Sequence, residues 1–276
     1  MPPMLEIDHL GKTYFTKDRP TTALGDLTFS VSQGEFVCVV GPSGCGKTTL
    51  LKCMAGLMKP TTGEVRLGGQ RVTEPPKAMA LVFQDYSRSL FPWMTVGQNV
   101  ELPLKVKKVD KATMRSGVED AVASVGLTGF IDHYPWQLSG GMQQRVAIAR
   151  AVAYQPQILL MDEPFASVDA QTRADLEDLI LRVSQEYGIT VVFVTHDIDE
   201  SIYLGDRVVV LTKPPTEVQQ ELSVELPKPR DQIATKELTR FAELRAHVYS
   251  AITGRARVTG ASGSDAIAGE SDGALA

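Results

Sequence analysis

One loop organises this chain: Gly41-Pro42-Ser43-Gly44-Cys45-Gly46-Lys47-Thr48-Thr49. It matches the pattern G-x-x-x-x-G-K-[ST], whose glycines let successive backbone N–H groups curl around a phosphate group. Residues 35–40 before it are a mostly apolar run typical of a buried strand, and residues 49–52 after it predict a helix whose positive end faces the same anion. The strand, loop and helix together favour a phosphate-binding loop over a merely flexible glycine turn.

The side chains of this phosphate loop (residues 41–49) carry separate predictions. Lys47 is expected to reach the β- and γ-phosphates of a nucleoside triphosphate, and the Thr48 hydroxyl is expected to hold Mg²⁺. The other positions predicted to bind the nucleotide are Gly41, Pro42, Ser43, Gly44, Cys45, Gly46 and Thr49. Because Cys45 places a thiol among phosphate-binding amides, we expect the site to be sensitive to its alkylation and the bound nucleotide to protect it; the alternative is an inert small side chain.

Length and composition indicate a globular protein with a sizeable core. The chain has 276 residues, of which 43% are hydrophobic, enough for one large or two small domains. Its net charge of −5 lacks the basic footprint of nucleic-acid binders, so no nucleic-acid partner is predicted. The odd number of cysteines, without metal-site or C-x-x-C spacing, predicts reduced thiols and no disulfide framework.

Targeting signals do not stand out in the sequence. The N-terminus lacks the basic stretch and apolar core of a signal peptide. No uncharged apolar run approaches the length of about 18 residues that a membrane helix needs. The chain is therefore expected to be neither exported nor membrane-spanning by itself.

Hydrophobic periodicity predicts an α/β fold. Apolar and polar residues alternate over residues 5–10 and 27–31, which predicts an N-terminal antiparallel β subdomain with one solvated face. Continuous apolar runs, typical of strands buried on both faces, alternate with helical patterns further along: residues 78–83, 157–161, 190–194 and 207–211. Because strands that alternate with helices form parallel sheets, we predict a core built on a parallel sheet.

Changes in periodicity predict the domain organisation. One domain is expected over residues 4–250, with a helical subdomain inserted at about residues 85–150. A short extension at about residues 213–250 is predicted to hold a strand at 222–226 and a helix at 241–252. Residues 254–276 are rich in Gly, Ala and Ser and are expected to be disordered, because they bury too little surface to offset the entropy of ordering.

Two carboxylates follow a buried run in Ile158-Leu159-Leu160-Met161-Asp162-Glu163. Open parallel sheets bind ligands at the carboxyl ends of their strands, which puts this pair beside the phosphate loop. Asp162 is suited to the Mg²⁺ shell, usually through water, and Glu163 to polarising an attacking water. Without the phosphate loop, a solvated strand end would be the better interpretation of the pair.

A second glycine-containing motif lies in Leu138-Ser139-Gly140-Gly141-Met142-Gln143-Gln144-Arg145-Val146-Ala147-Ile148-Ala149-Arg150-Ala151, the signature segment (residues 138–151). Ser139 is predicted to cap a helix that Gly140 and Gly141 open, which makes a second anion site. The segment resembles the LSGGQ signature of the ABC ATPases, the nucleotide-hydrolysing subunits of ATP-binding cassette systems, with Met142 where Gln is common. The resemblance implies a P-loop NTPase core and a head-to-tail homodimer, in which ATP lies between one copy's phosphate loop and the other copy's Ser139, Gly140 and Gly141.

Further motifs of this family fall at matching positions. Gln84 resembles the Q-loop glutamine, for which the family implies a contact with Mg²⁺ and water. His196 resembles the switch histidine, which is implied to contact the γ-phosphate and support Glu163. Tyr14 matches the aromatic residue that stacks on adenine, although Phe15 competes for this role and a Tyr near a strand end often fills a core. The residues implied to act in ATP hydrolysis are Lys47, Gln84, Glu163 and His196.

Longer stretches look like the nitrate/sulfonate/taurine importer branch of the family. They include Leu90-Phe91-Pro92-Trp93-Met94-Thr95-Val96, Thr195-His196-Asp197-Ile198-Asp199-Glu200 and Leu226-Pro227-Lys228-Pro229-Arg230-Asp231. The resemblance implies an ATPase subunit at the cytoplasmic face of the cell (inner) membrane, where ATP-driven dimer closure energises uptake of a small anion such as nitrate, sulfonate or taurine. Its implied partners are two transmembrane permease subunits and, indirectly, a solute-binding protein.

Two points of this interpretation stay open. The permease is expected to dock on residues 87–99, but Phe91 and Trp93 could instead belong to the core of the helical subdomain. The alternative functions are an ABC importer ATPase for another small solute and, less favoured, a soluble ABC ATPase without a transport role. The soluble class is marked by long coiled-coil insertions or a second cassette, and the sequence has neither.

Overall fold

The chain folds into two β-sheets with helices packed against them, in a computed structural model that describes residues 3–15, 19–85 and 89–255. In chain order the strands are β1 (Leu5–Phe15), β2 (Pro20–Val31), β3 (Phe36–Val40), β4 (Thr62–Leu67), β5 (Gln70–Arg71), β6 (Met79–Val82), β7 (Ile158–Asp162), β8 (Thr190–Thr195), β9 (Arg207–Leu211) and β10 (Val218–Ser223). The helices are α1 (Lys47–Met54), α2 (Val96–Lys107), α3 (Lys111–Ser124), α4 (Gly140–Ala153), α5 (Ala170–Glu186), α6 (Ile198–Leu204) and α7 (Thr239–Thr253).

The larger sheet has the strand order β10-β9-β3-β8-β7-β6, and its neighbours are parallel except for β10 against β9. Every residue of β3, β7 and β8 is buried, as expected for strands covered on both faces. In the register, Val40 lies opposite Thr195 and Asp162 lies opposite Val194. The carboxyl ends of these three strands are therefore level and meet at one edge of the sheet.

The smaller sheet has the order β2-β1-β4-β5 and is antiparallel throughout. Its inward-facing residues, such as Leu5, Ile7 and Leu27, are almost completely buried. They belong to the same apolar cluster as Leu50 and Leu51 of α1. The antiparallel sheet therefore supports the helix that follows the phosphate loop.

A layer of helices, α2 to α4, packs beside the parallel sheet and shares one apolar cluster with it. Thr95 caps α2 in a reciprocal capping box with Gln98, and Asp110 caps α3. The predicted fold class, a parallel-sheet core with an N-terminal antiparallel subdomain and inserted helices, is confirmed. The exact limits predicted for the subdomains stay a prediction.

The C-terminal strand lies earlier than the sequence alternation predicts. β10 pairs with β9 from Val218 opposite Leu211 to Ser223 opposite Arg207, so the strand ends before Val224 and Leu226. Both of these residues are buried outside the sheet. The alternate spacing of Leu222, Val224 and Leu226 therefore indicates that one side of this segment is buried, and not that all of it pairs as a strand. The expected disorder of residues 254–276 concerns mainly residues 256–276, which lie outside the described residues.

Arg207 connects the two sheets where β9 begins. Its guanidinium donates to Glu35 Oε1 at 2.7 Å and to Glu35 Oε2 at 3.0 Å, immediately before β3. It also donates to the Ser30 carbonyl of β2 at 2.5 Å and to the carboxylate of Glu221 in β10. One side chain thus holds strands of both sheets in register.

Candidate functional site

The phosphate loop lies at the carboxyl edge of the parallel sheet, between the end of β3 and the start of α1. Gly44 and Gly46 have φ values of +75° and +98°, which side chains other than glycine rarely adopt. A Cβ on Gly46 would also lie 2.9 Å from Leu24 Cδ2. Two of the loop glycines are therefore required by the backbone path as well as by the motif.

Lys47 is the first residue of α1 and is only 6% exposed. Its Nζ donates to the Gly41 carbonyl at 3.0 Å and to the Pro42 carbonyl at 3.3 Å. The same Nζ lies 3.6 Å from Glu163 Oε1. The ammonium group is therefore held inside the loop and aimed at the end of β7.

Glu163 directly follows β7 and adopts a left-handed backbone conformation with φ +43°. A non-glycine residue pays roughly 1–2 kcal/mol for such a conformation, and strain of this kind clusters at functional sites. Its N–H donates to the Val194 carbonyl at 2.8 Å, and its Oε2 lies 2.9 Å from His196 Nδ1. The carboxylate thus lies between Lys47 and His196, as the sequence-based grouping predicts.

Asp162 is the last residue of β7, is 5% exposed and is hydrogen-bonded to the Thr48 side chain. Burial raises the pKa of its carboxyl; the bond with Thr48 opposes this shift, and the adjacent charge of Glu163 adds to it. A buried carboxylate next to a hydroxyl is an oxygen donor set that suits Mg²⁺, which binds few protein ligands and keeps several waters. These two residues fit the predicted metal position.

Gln84 and Tyr14 are placed less tightly than the residues around Glu163. Gln84 follows the end of β6 at the same sheet edge, and its side chain is exposed. The Tyr14 hydroxyl lies 3.1 Å from Thr49 Oγ1, so this ring lies beside α1. Phe15, which competes with Tyr14 for the adenine-stacking role, is 78% exposed. Which of the two rings faces the base stays a prediction.

Thr216 is a contributor to the phosphate loop that the sequence analysis missed. It is fully buried between β9 and β10, and its hydroxyl donates to the Cys45 carbonyl. Its backbone is fixed by Gly25 and Ala23, since Gly25 N–H donates to the Thr216 carbonyl at 2.8 Å and Thr216 N–H to the Ala23 carbonyl at 3.1 Å. No local motif marks this threonine, because the contact joins segments 171 residues apart.

Cys45 does not present its thiol to solvent. The side chain is fully buried, and burial raises its pKa, with the charge of Lys47 opposing this shift. A buried, protonated thiol is a poor nucleophile. Of the two expectations for Cys45, the geometry favours the inert small side chain over the reactive one.

The signature segment begins α4 as predicted. Ser139 is the N-cap, and its Oγ accepts the Met142 N–H at 3.3 Å. A Cβ on Gly141 would lie 2.4 Å from Thr172 Cγ2, so this glycine is needed for close approach to α5. Ser139 and Gly140 are exposed at the helix start. The second predicted anion site is thus open on the surface of the chain.

The family model described as ABC transporter matches residues 24–166, which include the phosphate loop, the signature segment and Glu163. The chain belongs to the ABC transporter family. It is 46% identical over 246 residues to an uncharacterized ABC transporter ATP-binding protein of Methanocaldococcus jannaschii, with 89% of this chain and 90% of that protein covered. The recognition of an ABC ATP-binding subunit and its assignment as an ATPase are confirmed.

Two ATP-binding proteins of named transport systems are also similar to this ABC ATPase. The nitrate import ATP-binding protein NrtD of Synechococcus elongatus is 43% identical over 244 residues, covering 87% of this chain and 88% of NrtD. The bicarbonate transport ATP-binding protein CmpD of Synechocystis is 40% identical over 244 residues, covering 87% of this chain and 86% of CmpD. Both alignments run across nearly the whole ABC ATPase.

A solved ATP-binding cassette has the same fold, with a TM-score of 0.71 and 36% sequence identity over 80% of this chain and 99% of that one. That structure is a dimer in a post-hydrolysis state bound to ADP and Pi. Among the residues described for this ABC ATPase, no helix is both long and apolar enough to cross a membrane.

Proposed function

We propose that this ABC ATPase is the subunit that energises an importer of a small anion such as nitrate, sulfonate or taurine. The observation that carries the hydrolytic part is the position of Glu163, whose two carboxylate oxygens face Lys47 at 3.6 Å and His196 at 2.9 Å. A carboxylate fixed at the carboxyl edge of the sheet, beside the phosphate loop, is placed to orient water.

Hydrolysis by these residues is positional and electrostatic, without a covalent intermediate. The backbone N–H groups of the phosphate loop and the ammonium of Lys47 bind the phosphates and oppose the charge that develops on the γ-phosphate. Glu163 holds the attacking water in line, and His196 contacts the γ-phosphate and keeps the Glu163 carboxylate in position. Thr48 and Asp162, with Gln84 nearby, would hold Mg²⁺, which when bound neutralises phosphate charge.

A complete site requires a second copy of the chain. The exposed start of α4, with Ser139 as its cap and Gly140 and Gly141 behind it, suits a phosphate on a partner molecule. The dimer in the related ADP- and Pi-bound cassette supports this arrangement. In the proposed homodimer, each ATP lies between the phosphate loop of one copy and the signature segment of the other.

The segment after Gln84 supports docking on membrane subunits. Trp93 is 69% exposed and its ring lies 5.4 Å from that of Phe91, so the alternative that Trp93 belongs to the core is wrong. Asn99, fully buried, binds the backbone of Phe91 at 2.9 and 3.1 Å and of Met94 at 3.1 Å. Phe91 is half-buried, and an exposed Trp93 packed beside it on a fixed loop suits a partner helix. Of the docking stretch predicted at 87–99, residues 87 and 88 lie outside the described residues.

The proposed assembly therefore contains two copies of this chain, two transmembrane permease subunits and, indirectly, a solute-binding protein. It places the ABC ATPase at the cytoplasmic face of the membrane. The similarity to NrtD supports a small anion as the transported solute. The similarity to CmpD makes bicarbonate the first alternative.

Reconstitution tests this proposal. The chain would be assembled in proteoliposomes with candidate permease subunits and a solute-binding protein from the same organism, and ATP-dependent uptake of labelled nitrate, taurine and bicarbonate would be measured. We expect uptake of one anion, lost on Lys47→Ala. ATP hydrolysis without uptake of any of these anions would reject the anion assignment. Failure to assemble with membrane subunits would reject the importer role.

A further inference from the structure

A buried carboxylic acid lies directly beneath the proposed hydrolytic site. Glu200, in α6, is only 5% exposed, and the roles proposed above for Lys47, Glu163 and His196 do not use it. It lies in the small cavity lined also by Glu163, His196 and Arg173. The sequence analysis missed it, since an acid in the first turn of a short helix is typical of an exposed cap.

Hydrogen bonds connect Glu200 to both neighbours of His196. The Thr195 hydroxyl donates to Glu200 Oε2, and the Asp197 N–H donates to Thr195 Oγ1 at 3.0 Å. Asp197 Oδ1 in turn accepts the Glu200 N–H at 3.1 Å. The backbone before and after His196 is thus fixed by one closed set of contacts centred on Thr195 and Glu200.

We propose that Glu200, acting through the Thr195 hydroxyl, is the positioning residue that fixes His196 against Glu163. This inference rests on the proposed function, in which His196 supports the carboxylate that orients water. His196 is 54% exposed on its side chain, so packing alone holds its ring weakly. The contacts of Thr195, at the end of β8, with Glu200 hold the backbone of His196 in place instead.

Burial and the charges around Glu200 determine whether the side chain that positions His196 is the neutral acid or the carboxylate. The pKa of Glu200 is raised to about 8, and burial is the main cause. The bond from Thr195 and the charge of Arg173 oppose this shift, while the charges of Glu177 and Asp197 add to it. Groups that face it on the packed elements are Asp197 on α6, Arg173 and Glu177 on α5, Glu163 after β7, His196 after β8 and Cys38 on β3. At neutral pH Glu200 is therefore mostly the neutral acid.

Loss of this proton weakens the positioning. Above pH about 8 the bond from Thr195 favours the carboxylate, but the cost of burying the charge and the repulsion by Glu177 and Asp197 outweigh it, since the pKa is raised overall. The carboxylate is then driven toward water, which opens the contacts that hold the residues on either side of His196. We expect the turnover number of the wild-type ABC ATPase to decline several-fold between pH 8 and 9.5. Glutamine is an isostere of the neutral acid that cannot lose a proton.

The experiment measures kcat and KM for ATP against pH in the purified full chain. Glu200→Ala is expected to lower kcat about tenfold at pH 7.5 with KM little changed, as for a lost positioning contact of ordinary strength. Glu200→Gln should rescue kcat and remove the alkaline decline. The control is Glu119→Gln, an exposed acid on α3 that pairs with Arg115, which should keep both activity and the decline.

A second pair of variants tests the route through Thr195. Thr195→Val, which keeps the shape and removes the hydroxyl, should lower kcat like Glu200→Ala, while Thr195→Ser restores it. An alkaline decline that persists in Glu200→Gln, or normal kcat in Thr195→Val, would overturn the inference. Glu163→Gln distinguishes failure of the proposed function from failure of this inference. If Glu163→Gln hydrolyses ATP normally, the proposed function is rejected. If Glu163→Gln is inactive but the Glu200 and Thr195 variants do not behave as expected, only the positioning role of Glu200 is rejected.

Discussion

The phosphate loop and the start of α4 share one structural feature, a helix N-terminus preceded or opened by glycines, but they differ in the residues around it. Both place glycines and free N–H groups at a helix N-terminus. At the phosphate loop the same chain supplies Glu163 with Lys47 at 3.6 Å and His196 at 2.9 Å. At α4 the neighbours of Ser139 and Gly141 are a backbone N–H and Thr172, neither of them charged. In the proposed homodimer, the first region contributes the charged groups of the site, and the second contributes a helix N-terminus to the nucleotide of the other copy.

The largest effect should come from removing the charge of Glu163. Glu163→Gln keeps the shape of the side chain but cannot orient water as a carboxylate, so we expect kcat to fall about a thousandfold while ATP still binds. The bound protein should accumulate as a dimer, which gel filtration detects. Glu119→Gln, on the exposed face of α3, is the control. Turnover close to that of the wild type would show that the phosphate-loop region is not the hydrolytic half.

Mixing two inactive variants tests whether the two regions belong to one composite site. Lys47→Ala disables the phosphate loop, and Ser139→Arg blocks the start of α4, so neither homodimer should hydrolyse ATP. In the mixed dimer one site combines an intact phosphate loop with an intact signature segment. ATPase activity should therefore return on mixing. If the mixture stays as inactive as its components, the two regions do not act on the same nucleotide.

Stability should depend on pH through Glu200, which supports only the first of the two regions. Its folded pKa of about 8 lies above the ordinary value of 4.5, so the folded chain binds the extra proton between these limits. Stability is therefore lost as pH rises from 4.5 to about 8, by on the order of a few kcal/mol. Glu200→Gln should remove this dependence, as measured by urea unfolding at pH 5 and 8.5. Equal slopes in both proteins would show that Glu200 does not retain its proton.

A smaller effect is expected at Thr216, which braces the phosphate loop from the C-terminal strands. Thr216→Val leaves the buried Cys45 carbonyl without its hydroxyl donor, at a cost of about 1–3 kcal/mol. KM for ATP should rise several-fold with kcat less affected, and Thr216→Ser should behave like the wild type. Steady-state kinetics of the three proteins check this. An unchanged KM would show that the loop holds its shape without the brace.

The smallest effect is expected for alkylation of Cys45. All three cysteines are buried in the described chain, and burial raises the pKa of Cys45, Cys38 and Cys53. N-ethylmaleimide at pH 7.5 should label the folded protein slowly, with or without ATP, and leave its ATPase activity intact. Mass spectrometry after timed quenching measures the labelling. Fast labelling that ATP prevents would show instead that Cys45 is a reactive thiol within the nucleotide site.

Sequence alone predicts the parts of this structure that depend on local pattern. The buried run before Asp162 and the run at residues 207–211 correspond to β7 and β9, because a strand covered on both faces must be apolar throughout. The phosphate loop, Glu163 and His196 are brought together because parallel strands end at one edge. Contacts such as those of Thr216 and Glu200 carry no such pattern, since they join residues through tertiary packing.

Exposure and strand limits were harder to predict for a related reason. Trp93 in an apolar loop fits a core or a docking surface equally well, and the outcome depends on how the loop backbone is held by contacts such as those of Asn99 with Phe91. Val224 and Leu226 alternate like strand residues, but the pairing with β9 ends with the bond from Val224 N–H to the Asp206 carbonyl at 2.8 Å, before Leu226. Periodicity records which side of a segment is buried and not what it pairs with.

The guanidinium of Arg207 has a consequence for the cooperativity of the whole molecule. Because this one group binds β2 of the antiparallel sheet, the residue before β3 and β10, neither sheet can open without breaking charged hydrogen bonds to the other. Native-state hydrogen exchange should therefore detect both sheets as a single protected unit. β3, which leads into the phosphate loop, would then belong to this protected unit.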